Sequence, residues 1–509
     1  MPESPASTMF RPPINRAMLA LDRSFFKKSI PLSAARIRDN KHISRYRTEL
    51  GHDLLKLDRM PAVRCVRDAQ GQEAKALLLR PEVKLDGIIA FLGFPKPNQT
   101  KTERELPGGR MAKVLPDAST WSAKLSELVQ ASHVSLAPYN LELDYDYWNY
   151  HDIMSAILPV ADSSDIPTGF SIVGHIAHLN LRPPYLPYKH LIATVLLDKN
   201  PTIRTVINKT DEVGQRNEYR TFSHELLAGD PDLNVEIHEE GCRFRFDYAK
   251  VYWNSRLNTE HRRLVEEFRP GDAVCDVMAG VGPFAVPAGR KRVFVWANDL
   301  NPDSFASLED AVKRNKVRVA SISLLKVSEC SCKCQVERFV TTFNEDGRTF
   351  IRSSAKELLQ TDTRVEISKP VSRLKQSVSN AKPIATLTSP KTFNHYILNL
   401  PASALTFLPL FIGLYAGREE LFAPNADAQL PVIHAHCFST KSDDNRAEER
   451  KICQEVSEQL KYEMRPGDVE TEGEVRVWDV RDVAPLKRMF CASFRLPGEV
   501  AFRVAGNER

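Results

Sequence analysis

Along the 509-residue chain the apolar positions fall into short runs whose spacing changes from region to region. Alternating or continuous runs of four to eight residues read as strands, and longer runs with helical spacing read as helices. Before residue 95, clusters at 54–57, 76–79 and 88–92 predict the short helices and strands of a small mixed domain. Farther on, Phe170-Ser-Ile-Val, His190-Leu-Ile-Ala-Thr-Val-Leu-Leu and Thr202-Ile-Arg-Thr-Val-Ile read as strands, broken at Pro183-Pro184 and Asn200-Pro201. Val235-Glu-Ile-His and Cys242-Arg-Phe-Arg-Phe-Asp read as a strand pair turning at Glu240-Gly241. From about residue 250 the rhythm changes. A helix over 259–268 is followed by a strand over 273–278 and the turn Ala279-Gly-Val-Gly-Pro; after a helical stretch come a strand over 293–299 and a helix over 302–315. That alternation predicts a parallel sheet. The stretches 317–335 and 360–392 break the rhythm and read as insertions.

Length and composition bound the answer. At roughly 100–200 residues per domain the chain makes about three domains. A 42% hydrophobic content excludes wholesale disorder. The expected division is a disordered 1–19, an N-terminal domain over 20–135, a middle domain over 136–247, and an α/β, Rossmann-like domain over 248–509. The two smaller domains are expected to be α+β. No apolar run reaches the roughly 18 residues of a membrane span. The nine cysteines are scattered and odd in number, which argues against a disulfide framework. Cys330, Cys332 and Cys334 alternate with other residues rather than at metal-ligand spacing, so no metal is expected. Charge changes the picture more. Residues 1–135 hold 23 Lys/Arg against 14 Asp/Glu, a net +9, and the rest hold 47 against 51, a net −4. A polyanionic partner that touches the first quarter fits this asymmetry, and so does a solvated surface. The basic first 50 residues are compatible with a mitochondrial presequence and equally with a basic first domain.

The chemistry gathers after residue 250. Asp276-Val-Met-Ala-Gly-Val-Gly-Pro-Phe is a strand–turn–helix segment in which Gly280 and Gly282 permit a tight turn and close approach to a ligand. The next strand ends in Asp299, where a carboxylate can accept both hydroxyls of an adenosine ribose. The missing pyrophosphate pattern favours S-adenosylmethionine over a dinucleotide, with nicotinamide, flavin or no cofactor as alternatives. About 120 residues later, Asn399-Leu-Pro-Ala follows the strand-like Tyr396-Ile-Leu, so Asn399 and Pro401 are expected at the same crevice. Asn399 also fits a helix N-cap with Pro401 close behind. Just upstream, Arg256 and Glu260 are spaced to share a helix face, either as a surface ion pair or with the carboxylate as a general base.

These pieces, with Tyr145-Asp-Tyr-Trp-Asn-Tyr-His-Asp-Ile-Met, Gly174-His-Ile-Ala-His-Leu-Asn-Leu-Arg, Tyr219-Arg-Thr-Phe, Val251-Tyr-Trp-Asn-Ser-Arg-Leu-Asn-Thr-Glu-His, Ala297-Asn-Asp-Leu-Asn-Pro and His436-Cys-Phe-Ser, resemble the eukaryotic and archaeal tRNA guanosine-37 N1-methyltransferases over most of 20–500. The resemblance implies two smaller domains before a class I methyltransferase domain, S-adenosylmethionine as cofactor, and tRNA as partner. It implies methylation of N1 of the guanine 3′ of the anticodon, in support of reading-frame maintenance. It further implies a monomer, found in cytoplasm and nucleus with a mitochondrial pool. By the same resemblance Glu260 is the general base and Arg220 holds the guanine. Tyr252 and Arg256 order the target nucleotide. His261, Asp299, Leu300, Asn399 and Asp346-Gly347 contact the cofactor.

The chemistry is consistent with those roles. Guanine N1 must lose a proton before it can attack a methyl group, and a carboxylate whose pKa is raised by burial can take it. A cation such as Arg220 would stabilise charge on O6. The rivals are the wybutosine-pathway transferase that moves the aminocarboxypropyl arm of the same cofactor, an exocyclic amino methyltransferase, and an idle RNA-binding protein.

Overall fold

The computed structural model describes residues 9–67, 73–83, 121–159, 166–210, 219, 221, 223–315, 336–367, 385–424, 426 and 428–504. The chain separates into two units, 1–168 with 182–201, and 169–181 with 202–509.

In the first unit the chain builds a four-stranded antiparallel sheet. Its strands are β1 (Lys28–Ile37), β2 (Val63–Arg67), β3 (Glu73–Leu78) and β4 (Val134–Leu143), in the order β2-β3-β1-β4. Helices α1 (Ile43–Glu49), α2 (Ala123–Gln130), α3 (Tyr150–Ile157) and α4 (Lys189–Lys199) complete it. Three expectations are corrected here. The boundary at 135/136 falls inside β4, which pairs with β1 from Ile37↔Val134 to Lys28↔Leu143. The charge shift that suggested the boundary marks composition, not strand pairing. Residues 136–247 accordingly do not form one body but are shared between the two units. Second, residues 9–19 are not loose, because Met18 is buried and Asn15 donates its backbone N–H to Ala156 O at 3.0 Å. Third, His190–Leu197 is helical, not a strand. Its buried Leu191, Ile192, Ala193, Val195 and Leu196 surround the helix, and a run apolar on all sides has no period to distinguish the two.

The second unit begins with a four-stranded sheet, β5 (Ser171–Val173), β6 (Ile176–Leu179), β7 (Thr205–Lys209) and β8 (His224–Gly229). Then comes the hairpin β9 (Asn234–Glu239) and β10 (Cys242–Asp247). Its two-residue turn holds Glu240 and Gly241 at φ 47° and 67°, the geometry that matches strand twist.

The rest is an eight-stranded sheet with helices on both faces. Its chain order is α5 (Asn258–Glu267), β11 (Ala273–Asp276), α6 (Ala285–Arg290), β12 (Phe294–Asn298), α7 (Pro302–Arg314), β13 (Val340–Phe343), α8 (Gly347–Gln360), the hairpin β14 (Arg364–Ile367) and β15 (Ala385–Thr388), β16 (His395–Leu398), β17 (Val432–Thr440), α9 (Arg446–Leu460), β18 (Arg465–Pro466), β19 (Glu474–Ala484) and β20 (Lys487–Arg495). The spatial order is β13-β12-β11-β16-β17-β20-β19-β18, with β13 to β17 parallel and β20 antiparallel to both neighbours. The parallel strands are covered on both faces, which is why they read as continuous apolar runs. Of the two expected insertions, 360–392 includes α8's last residue and the paired strands β14 and β15. Residues 368–384 and 317–335, with Cys330, Cys332 and Cys334, lie outside the described residues. The six described cysteines are all free.

Candidate active site

Strand order reverses between β11 and β16, each pairing with different later strands on its far side, and such a reversal opens a crevice beyond the strands' carboxyl ends. A cavity open to solvent lies there. Every parallel strand from β13 to β16 contributes to its wall: Val277, Met278 and Gly280 after β11, Asp299 and Leu300 after β12, Asp346 and Gly347 after β13, Asn399 and Leu400 after β16. Tyr219, Tyr252, Asn301, Ser304 and Phe407 complete it.

The turn after β11 works through two different glycines. Gly280 sits at φ 58° with open space where a side chain would be, and its N–H donates to Asp299 Oδ2 at 2.8 Å. Gly282 does not line the cavity. A Cβ there would lie 2.6 Å from Leu308 Cδ1 of α7, so this glycine lets helix and turn close-pack rather than touching a ligand. Gly347 does line it, and its missing side chain also lets α8 approach β11, since a Cβ would lie 3.0 Å from Val277 Cγ1. Asp346 caps α8, accepting from the N–H groups of Arg348 and Thr349 at 2.7 and 3.3 Å. Asn298 was not singled out in the sequence, yet it ties three strand ends together. Its Nδ2 donates to Val277 O and Glu345 O, and its Oδ1 accepts from Glu345 N–H. Its one sequence signal is its place just before Asp299.

The electrostatics of this cavity are acidic. Burial pushes the Asp299 carboxyl up, and the N–H groups of Asn301 and Gly280 oppose the shift. Asp276, one residue before the cavity wall, has both carboxyl oxygens buried without a hydrogen-bond partner. Burial first, and Asp299 second, push it up to about 8, while His436 pulls the other way. Buried carboxyl oxygens without partners suit a cationic ligand group, and Asp299 beside an open glycine suits a ribose. The ammonium, sulfonium and adenosine of S-adenosylmethionine fit that donor set.

The remaining expected residues are placed differently. Asn399 lines the cavity but Pro401 is buried and does not. Nor does the Asn399-Leu-Pro segment start a helix; the next helical turn runs Ala404–Phe411, with Ser403 before it. His261 faces away, its Nδ1 2.5 Å from Glu239 Oε1 and its ring edge-on to Phe284. Arg220 lies outside the described residues. Arg256 does not pair with Glu260, because its segment is a separate short turn, Ser255–Leu257, ahead of α5.

Glu260 is buried in the first turn of α5, outside the cavity wall. Arg263 binds both its oxygens, at 2.7 and 2.8 Å, and His436 Nε2 lies 2.8 Å from Oε1. The raised pKa expected of a buried base is therefore not found. Burial alone would raise this carboxyl, but Arg263 and His436 outweigh it and hold it down at about 2. Burial opposes charge on His436, yet Cys491 and Glu260 raise it to about 10. The pair is thus carboxylate and imidazolium. Glu260, His436 and Cys491 bring donor atoms within 4.8 Å of one another. With Arg263 on the same carboxylate, the cluster reads as an ion-pair network, not a metal site.

Comparisons with known proteins place the chain in a family. The family description "TYW2 N-terminal domain" matches residues 150–232, and "TRM5/TYW2 methyltransferase domain" matches 235–382. An Aspergillus fumigatus protein named tRNA (guanine(37)-N(1))-methyltransferase is 51% identical over 508 residues, covering 97% of this chain and 96% of its own. A Schizosaccharomyces pombe protein of the same name is 40% identical over 486 residues, covering 95% and 94%. The solved structure of Trm5b from Pyrococcus abyssi aligns over 92% of this chain and 99% of its own, at 19% identity and a TM-score of 0.49. At these identities over nearly the whole chain, the protein belongs to the tRNA (guanine(37)-N(1))-methyltransferase family.

Proposed function

We propose that this protein transfers the methyl group of S-adenosylmethionine to N1 of guanosine 37, the nucleotide 3′ of the tRNA anticodon. The observation that carries the reading is the acidic cavity at the strand reversal, with Asp299, Gly280 and Asn399 on its wall, in a chain of this family. The cofactor supplies an electrophilic methyl on a sulfonium. Asp299 would hold the ribose hydroxyls, Asp346 and Gly347 the adenine side, and Gly280 would leave room for the ligand. Asn399 presents a side-chain amide that can pair with the edge of a splayed guanine, and Tyr252 a ring on which it can stack. Displacement is then chiefly a matter of position.

Glu260 is the proton acceptor in this reading. It already stands in the ionised form, but both oxygens are engaged. To reach N1 it must exchange at least one partner for the base, as catalytic hydrogen bonds often do between free and loaded states. Arg220 would stabilise the charge that builds on O6. The basic first quarter is assigned to the body of the tRNA, and the protein is taken to act as a monomer.

The test is incubation with methyl-labelled cofactor and tRNA transcripts carrying G or A at position 37. Label should enter the G transcript and not the A transcript. Equal labelling of both would overturn the proposal. The wybutosine-pathway alternative shares the family description, so an arm-labelled cofactor belongs in the same experiment; transfer of that label would favour it.

A further inference from the structure

On α5, Glu260, Arg263 and Glu267 follow one another at three and four residues, so they share one helix face with alternating sign. Facing them, Arg476 lies on β19 and His436 on β17. A line of alternating charge results, in the order His436, Glu260, Arg263, Glu267 and Arg476.

Glu260 therefore carries two cations, and they are not alike. His436 is fully buried on an interior strand of the sheet, and Glu260 is the one carboxylate in salt-bridge contact with it among the described residues. Arg263 has a second acceptor. Its Nε and Nη2 hold Glu260, at 2.7 and 2.8 Å, while its Nη1 donates to Glu267 Oε1 at 2.8 Å. Arg476 Nη2 shares the Glu267 carboxylate, 2.8 Å from Oε1 and 2.9 Å from Oε2. A carboxylate offers about four lone-pair sites, so Glu267 has room for another N–H of Arg263. The Arg263 guanidinium also lies over the half-exposed ring of Trp478, its Cζ 5.0 Å from the centroid. A planar guanidinium can shift along such a face and keep the contact. Arg263 thus has two places to stand, and His436 has one.

The distinction matters because a pinned carboxylate is a weak base. Burial raises the Glu260 carboxyl, but the hydrogen bonds and charges of Arg263 and His436 pull it down to about 2. With Arg263 gone, His436 alone opposes burial, and the carboxylate becomes a stronger proton acceptor.

We propose that Arg263 is a latch on Glu260: binding of the target nucleotide moves its guanidinium from Glu260 onto Glu267, while His436 stays. The latch rests on the proposed function for Glu260 as proton acceptor. Guanine N1–H takes the place of an Arg263 N–H on one Glu260 oxygen. The N1–H bond then breaks as an O–H bond forms on Glu260, and its electron pair stays on N1 for the methyl group. Arg263 touches none of the reacting atoms. It is a positioning residue, and Glu267 is the seat to which it moves.

The experiment is single-turnover methyl transfer by the full chain, at saturating G37 tRNA transcript and S-adenosylmethionine. It compares wild type, Glu267→Gln, Glu267→Asp, Arg263→Gln, and Arg263→Gln combined with Glu267→Gln. Glu267→Gln keeps the shape of the seat but not its charge. It should transfer about 10–100-fold more slowly, the worth of a hydrogen bond to a charged partner, with wild-type affinity for tRNA and cofactor. Glu267→Asp, poorer in shape but still charged, should be faster than Glu267→Gln. Adding Arg263→Gln to Glu267→Gln should restore part of the rate, because no guanidinium is left to pin the base. Glu267→Gln at the wild-type rate would overturn the latch. So would Glu267→Asp or the double variant being no faster than Glu267→Gln; a fixed ion-pair network predicts that the double variant is the slower. Melting curves show which variants are folded. If Glu267→Gln is not, the acid limb of the rate decides. The groups around Glu260 in that titration are Arg263 and His436, with Glu267 beside the first and Cys491 beside the second. The limb of Arg263→Gln should lie within about half a pH unit of the wild type's, because the loaded wild type has already released Arg263. A larger upward shift would overturn the latch. Wild-type methylation beside an unslowed, folded Glu267→Gln rejects the latch alone; absence of wild-type methylation rejects the proposed function.

Discussion

Glu260 and Asp276 are both buried carboxyl groups, and their surroundings drive them in opposite directions. Glu260 is hydrogen-bonded to a guanidinium and an imidazolium and is held at about 2; Asp276 is bonded to neither, and burial and Asp299 outweigh the pull of His436 and push it up to about 8. Each difference is measurable. Glu260→Gln should keep cofactor binding while methyl transfer falls by about 10²–10⁴-fold, the usual cost of a lost general base. Leaving Arg263 and His436 without their counter-charge should also cost about 3–5 kcal/mol of stability, so the rate is compared below the variant's melting transition. Undiminished transfer by the folded variant would remove Glu260 from its role. Burial favours the protonated form of Asp276, and a cationic ligand group brought near it would favour the ionised form. Cofactor affinity should therefore rise with pH up to about 8, by at most about tenfold per unit, and level off above it. Asp276→Asn should flatten that rise in titration calorimetry, and a wild-type profile no steeper than the variant's would contradict the account.

At the scale of elements, pairing decides what can be removed. Because β4 is bonded to β1 over ten residues, a chain starting at residue 136 keeps most of β4 but loses its partner. Such a chain should aggregate or melt well below the full protein, as an exposed edge strand predicts. A soluble truncation with an unchanged melting temperature would show that the first sheet is dispensable. The same pairing explains what the sequence could and could not convey. The strands β11, β12 and β16 and the turn at Gly280 were legible because buried parallel strands are continuous apolar runs and each strand end carries its own polar signal. Helix α4 was not, since a run apolar on every side has no period. The partners of Glu260 were half hidden: Arg263 stands one helical turn away, but His436 lies 176 positions along and meets it only across the sheet. Gly282 and Pro401 read as ligand contacts in the sequence because they share motifs with Gly280 and Asn399, which do line the cavity. Their packing against α7 and within the core appears only in three dimensions.

Over the whole molecule, a net charge of +5 conceals a division of labour. One cavity of the second unit carries Asp299 and Asp346 on its wall and would suit a cationic cofactor; the next is lined by Lys209, Arg256 and Arg481; Tyr252 belongs to both. The net +9 of residues 1–135 would suit a polyanion as well. An enzyme that brings a sulfonium and an RNA strand to one place needs both signs of charge, kept apart until the substrate joins them. The most direct test of that account is nucleoside analysis of a G37 tRNA after reaction with S-adenosylmethionine. The account predicts 1-methylguanosine, located at position 37 by digestion and mass. A methyl group on the exocyclic amine, on another nucleotide, or an aminocarboxypropyl product in its place would contradict it.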